Sequence, residues 1–252
     1  MTERGQPVAE PTVERAMPSD GQPLAGRRAA VVGVEGSTGA AIARALGGAG
    51  ADLALCALRA DEGVLVARRV QRELRAAGRH ASSYVMDVTL GRNVQVTTKQ
   101  LAKELGGLDL VVSASLLPAS GPLARLTEVE VAQILALNFN AHLFLVRSAA
   151  PELARTGGGT LLLLTHEAGA AGDPEAPLFA AAQAATRSLL GSLAELLAED
   201  GIALAAISLA APPSADAEPD LDEAARAGAL AVELATAGLA AAGRVVSVGG
   251  AG

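Results

Sequence analysis

Residues 31–46 read VVGVEGSTGAAIARAL, an apolar β-rich run that meets Gly33, Gly36 and Gly39 at even spacing before an alanine-rich helical stretch. Glycines at the mouth of a helix let the backbone turn tightly and approach a pyrophosphate, whose charge is met by the helix N-terminal amides and dipole. The same spacing also serves tight strand-to-helix packing with no ligand present. After a first strand and at the start of a first helix, it points to a nucleotide site, present or ancestral.

Outward from this loop the chain alternates short β-rich runs with longer helical ones. Strands are expected over 29–34, 52–58, 81–87, 108–114, 159–165, 202–209 and 244–248. Helices are expected over 38–48, 61–77, 91–106, 127–154, 175–198 and 221–238. Strands separated by helical stretches of this length call for right-handed crossovers and a parallel sheet covered on both faces. The fold class is therefore α/β, a Rossmann-type doubly wound parallel sheet of about seven strands. Residues 1–26, with four prolines, scattered charges and no periodicity, read as a disordered leader, leaving 27–252 as a single domain.

Composition narrows the function. A net charge of −7 offers no basic footprint for a phosphate backbone, so nucleic acid is not an expected ligand. The single cysteine, Cys56, excludes an intramolecular disulfide framework, and no spaced Cys/His set suggests zinc. Glu3, Arg4, Glu10 and Glu14 stand where a signal peptide needs an apolar core, and no uninterrupted run of 18 apolar residues follows. A soluble, cytoplasmic protein without a membrane partner is expected. Aromatic residues make up only 2% of the chain, so its alanine-rich helices should pack closely through small side chains.

From about Gly26 to Gly250 the chain resembles the short-chain dehydrogenase/reductase family. The Thr-Gly-x-x-x-Gly-x-Gly loop of its classical members would fall on Val32, Gly33, Ser37 and Gly39, without the Thr and the middle Gly; the spacing matches the Gly-x-x-Gly-x-x-Gly of the extended branch instead. The resemblance places a cofactor on Gly33, Gly36, Ser37, Thr38, Gly39, Asp87, Val88 and Ala114, with Asp87-Val88 at the adenine. No carboxylate ends strand two to hold a ribose 2′-hydroxyl. Arg59 just beyond leans toward a 2′-phosphate and NADP over NAD, while Glu35 inside the loop pulls the other way by repulsion.

Family members carry a Ser and a Tyr-x-x-x-Lys pair, with an Asn in the long preceding helix. Tyrosine protonates the substrate oxygen as hydride arrives, and the lysine charge lowers its pKa from about 10 toward working range. Aligned on NFNAHLFLVRSAAPEL (138–153), GGTLLLLTHEAGAAG (158–172) and PLFAAAQAATRSLL (177–190), this chain keeps Asn138 and has His166 for Ser, Phe179 for Tyr and Gln183 for Lys. His166 precedes Phe179 by thirteen residues, the family's own interval. The only tyrosine is Tyr84 and the only lysines are Lys99 and Lys103, so no Tyr-x-x-x-Lys can be written anywhere in the chain. The family's Asn-Asn-Ala-Gly is VSAS (112–115), retaining only Ala114, and its Pro-Gly after strand six is LAAPPS (209–214). The stretch from Ser208 to Leu221, about a dozen residues, is short for the usual substrate-covering helices.

Asn138 reads equally as a family residue and as a polar group satisfying a kinked helix backbone. His166 can donate a proton near neutral pH or be a plain strand-end histidine, and Glu167 beside it either tunes the ring or points away. His80 and His142 show no evident partners. The helices over 127–154 and 175–198 are those that family members pair into an oligomer interface, and here they remain rich in Ala and Leu. The leading expectation is a catalytically impaired member serving as structural or regulatory subunit, paired with itself or with an active homologue. An atypical NAD(P)H-dependent ketoreductase is the alternative, and an NAD(P)-responsive binding protein the third reading.

Overall fold

The computed structural model describes residues 21–210 and 218–249. Seven parallel strands form one sheet in the order β3-β2-β1-β4-β5-β6-β7. They are β1 (Arg28–Val32), β2 (Asp52–Ala57), β3 (Ala81–Val85), β4 (Leu110–Ser113), β5 (Gly159–His166), β6 (Ile202–Leu209) and β7 (Val245–Ser247). The helices are α1 (Ser37–Gly48), α2 (Gly63–Ala76), α3 (Gly91–Glu104), α4 (Glu128–Leu135), α5 (Ala141–Arg155), α6 (Ala168–Ala171), α7 (Pro177–Glu199) and α8 (Leu221–Ala237). All seven expected strands and the doubly wound class are present, with ends shifted by a residue or two.

The central strands are continuous apolar runs because both their faces are covered. Along β1, Ala29 and Val31 enter the core beneath α1, α2 and α8, while Ala30 and Val32 enter the one beneath α3, α5 and α7. Alanine and glycine let helices approach closely: a Cβ on Gly228 of α8 would stand 3.1 Å from both the Ala41 carbonyl oxygen and the Ala45 Cβ of α1. Below the sheet, buried Asp109 accepts from the Arg28 guanidinium at 2.8 and 2.9 Å and ties the start of β1 to the start of β4.

Two expectations need correction and a third goes untested. Residues 1–20 of the expected leader lie outside the described residues, but 21–26 belong to the fold: Leu24 is buried in the α1 core and its N–H donates to the Ala49 carbonyl. The helix expected over 127–154 is interrupted by a π turn at Ala136–Asn140. The short segment after β6 lies mostly in 211–217, outside the described residues. Two helical runs, Glu128–Arg155 and Leu221–Ala241, are long and apolar enough to cross a membrane by length and composition; in this fold they flank the sheet and give their apolar faces to its two cores.

Strand order reverses between β1 and β4, the point at which open parallel sheets bind ligands beyond the carboxyl ends of their strands. The glycine loop leaves β1 there.

Candidate functional site

Gly33 adopts φ +96°, and a Cβ on it would lie 2.7 Å from the Ala114 carbonyl, so the loops after β1 and β4 touch only because this residue has no side chain. A Cβ on Gly39 would strike the Gly33 carbonyl oxygen, which packs the first turn of α1 onto its own loop. Gly36 is exposed with open space around it and begins α1 with no side-chain cap. The amides of Ser37, Thr38 and Gly39 therefore open the helix without a capping side chain, an arrangement suited to an anion.

Beside this turn lies a cleft of about 640 Å³, bounded by Gly33, Glu35, Gly36, the segment from Leu58 to Gly63, Val66, Ala114, Leu116, Leu117 and Leu137. Its volume, its place at the topological switch and the uncapped helix mouth fit the adenosine and pyrophosphate portion of a dinucleotide. Arg59 is exposed on its rim. Glu35 reaches across the loop and accepts a hydrogen bond from the Leu58 N–H at 3.0 Å, while its second oxygen is buried with no partner. Burial pushes the Glu35 pKa up, and neighbouring Asp61 adds to the rise. Val88 is buried, and the Asp87 carboxylate is engaged locally by the Thr89 N–H and hydroxyl at 3.0 and 2.6 Å. Neither of this pair is among the cleft-lining residues.

Asn138 sits in the π turn, buried, and does what a polar residue in an interrupted helix must. Its Nδ2 donates to the Ile134 and Leu117 carbonyls and its Oδ1 accepts from the Leu117 N–H, all at 3.0 Å. The side chain thus clamps Leu117 in the loop after β4 to the long helix. Gln183 of α7, also buried, donates to Asn138 Oδ1 at 3.3 Å, leaving its own Oε1 without a partner. Phe179, one turn earlier, is buried edge-on against the His166 ring at 5.3 Å between centroids, among Ala168, Ala176, Ala180 and Leu116.

His166 Nδ1 accepts from the Ala168 N–H at 3.0 Å, which places the proton of the neutral ring on Nε2. Glu167 turns elsewhere and accepts from the Ser247 hydroxyl. The structure thus brings Asn138 and Gln183 into one hydrogen-bonded unit and His166 and Phe179 into one ring contact. None of these four lines the cleft beside the glycine turn.

Two contacts escaped the sequence reading. His142 has a partner after all, the Ser113 hydroxyl at 2.7 Å, on a strand 29 positions earlier in sequence where no local pattern signals it. The carboxylate at the end of β2 comes from Glu35, and the parallel register pairing Val32 with Cys56 carries the signal, since it sets the residues beyond both strands side by side. Among the described residues no cluster of three or more His, Cys, Asp or Glu is placed to hold a metal ion.

The family model described as short chain dehydrogenase matches residues 27–218. The chain is 30% identical over 191 residues to cis-4-hydroxycyclohexanecarboxylate dehydrogenase of Sinomonas cyclohexanicum, covering 75% of this chain and 74% of that protein. It is 29% identical over 186 residues to hydroxynaphthalene reductase arp2 of Aspergillus fumigatus, covering 74% of this chain and 66% of that one. It spans about half the length of other curated relatives. In fold it is similar to a blue fluorescent protein from a metagenomic library, solved in complex with NADPH, with a TM-score of 0.79 at 24% identity over 90% of this chain and 98% of that one.

Proposed function

The chain belongs to the short-chain dehydrogenase/reductase family of oxidoreductases, and from that membership we propose that it is a catalytically silent member that keeps a dinucleotide cleft and serves as a structural or regulatory subunit, paired with itself or with an active homologue. The observation that carries this reading is the pairing of Gln183 with Asn138 beside a buried Phe179. At the positions where the family places a tyrosine and a lysine, this chain offers no ionisable hydroxyl and no cation. A bound nicotinamide dinucleotide would supply hydride chemistry. The chain's own part would be to receive its pyrophosphate at the amides of Ser37–Gly39 and its adenosine in the cleft lined by Glu35 and Leu58.

The assembly half of the proposal is supported by α7, which turns Ala181, Ala184, Ser188, Gly191 and Ser192 outward, a small-residue face on which a second helix can pack closely. The lone, buried and unpaired Cys56 suits a cytoplasmic location.

The test pairs NADH and NADPH consumption over a panel of ketones and aldehydes with the oligomeric state in solution. Silence in the assay with a discrete oligomer is expected. Removing a general acid lowers a rate about 10²–10⁴-fold, so turnover within tenfold of an active family member would sink the proposal. A second reading, an atypical oxidoreductase, is favoured by one observation: an imidazole N–H, that of His166, stands where the family places a serine hydroxyl. Slow turnover abolished in His166→Ala would establish that reading instead.

A further inference from the structure

We infer that Glu35, contributed by the glycine loop and not by β2, reads the adenosine ribose: it accepts from a free 2′-hydroxyl and repels a 2′-phosphate, so the cleft prefers NAD(H) to NADP(H). This rests on the dinucleotide reading of the cleft. An acceptor for a ribose hydroxyl is wanted just beyond β2, where the chain itself supplies only Leu58 and Arg59. The parallel pairing of β1 with β2 brings Glu35 to that place, and the Leu58 N–H pins one of its oxygens at 3.0 Å. The other oxygen is enclosed and unpartnered. The terminal torsion of a glutamate is broad, so a small turn presents that oxygen to the cleft without surrendering Leu58.

Charge points the same way. The residues lining the cleft include three carboxylates, Glu35, Asp61 and Glu62, against one cation, Arg59, a surplus of two negative charges facing any phosphate placed there. Gly63 makes room for the arrangement, because a Cβ on it would lie 3.1 Å from both the Glu35 Cβ and the Asp61 carboxylate. Burial raises the Glu35 pKa, as expected for a carboxylate short of donors, and the Leu58 bond and Arg59 only partly offset that rise. A hydroxyl donor satisfies this group, whereas a phosphate adds a second anion beside it.

The experiment is a titration of the purified full chain with NADH and NADPH, followed by nicotinamide fluorescence, for the wild type and Glu35→Gln. The amide keeps an oxygen for the Leu58 N–H and removes the charge. Wild type should bind NADH at least about tenfold more tightly than NADPH, and Glu35→Gln should bring the two within about threefold, chiefly by strengthening NADPH. The wild-type gap should also narrow as salt is raised from about 0.05 to 0.5 M, because part of it is repulsion that salt screens, a readout independent of the variant's folding. Equal or tighter binding of NADPH by wild type overturns the selectivity and leaves the dinucleotide reading standing. An unchanged ratio in Glu35→Gln removes Glu35 as its source. No binding of either nucleotide up to millimolar concentration overturns both.

Discussion

Acidification from pH 7.5 to 5 should cost this protein about 2 kcal/mol of stability through His142 alone. The ring is fully enclosed on α5, its Nδ1 bonded to Ser113 and its Nε2 without a partner. Burial is the sole cause pushing its pKa down, from 6.5 to about 4. A base whose folded pKa lies below its unfolded value is protonated more readily in the unfolded chain, so its contribution is complete above about pH 6.5 and is lost as pH falls toward 4. At pH 5 the unfolded ring is almost wholly charged and the folded one only about a tenth so. Integrating the difference from pH 7.5 gives about 2 kcal/mol, approaching a limit of about 3 kcal/mol below pH 4. Urea unfolding followed by circular dichroism suits a chain with no tryptophan and one tyrosine. The comparison is with Ser113→Ala/His142→Leu, which replaces both partners by apolar groups, a change that is often close to neutral. Glu73, Glu104 and Glu130, whose pKa values are held down by their hydrogen-bond partners, titrate alike in both proteins and cancel. If the double variant loses as much stability as wild type between pH 7.5 and 5, the buried neutral imidazole is not the source and the account is wrong.

Two further outcomes follow from the same packing. Asn138→Ala removes three hydrogen bonds at 3.0 Å and strands both backbone groups of Leu117; it should cost about 3 kcal/mol and lower the melting temperature by roughly 6–12 °C, and a loss under about 1 kcal/mol would mean the clamp contributes little. Cys56 is buried in β2 with its pKa pushed up to about 12, so a disulfide-exchange reagent at pH 8 should leave it unmodified in the native protein and label it completely in denaturant; stoichiometric labelling of the folded chain within minutes would contradict that burial.

The sheet was legible because its strands are buried on both faces and so read as unbroken apolar runs: LLLLT in β5 and AAIS in β6 admit little else once glycine turns bound them. Leu24 was not legible. A single leucine among glycines and prolines has no period, and only the Ala49 carbonyl, 25 positions on, makes it part of the core. The π turn was half legible: ALNFN carries neither proline nor glycine, so only Asn138 hinted at a kinked backbone, and its clamp on Leu117 lies across space where no local pattern shows it. The glycine spacing located the turn between β1 and α1. It could not say which residue stands at the end of β2, because that depends on strand register and not on proximity in the chain. Arg59 drew attention by adjacency, yet Glu35 is the residue bonded to Leu58.

On the proposed reading, the catalytic positions have changed together for a physical reason. A lysine at position 183, wholly buried and facing the neutral amide of Asn138, would be a cation in need of a partner; without a tyrosine and a bound nucleotide nearby, its desolvation would be uncompensated. Glutamine keeps the length, donates to the same Asn138 oxygen and carries no charge. Phenylalanine keeps the ring of a tyrosine and its edge contact with His166 while dispensing with a hydroxyl that would need its own partner in that pocket. Each replacement removes a group that function alone would justify and retains the shape that packing needs. The helix thereby keeps its packing without the charge, and its outward face of small residues leaves room for a neighbouring helix, as the proposed assembly requires.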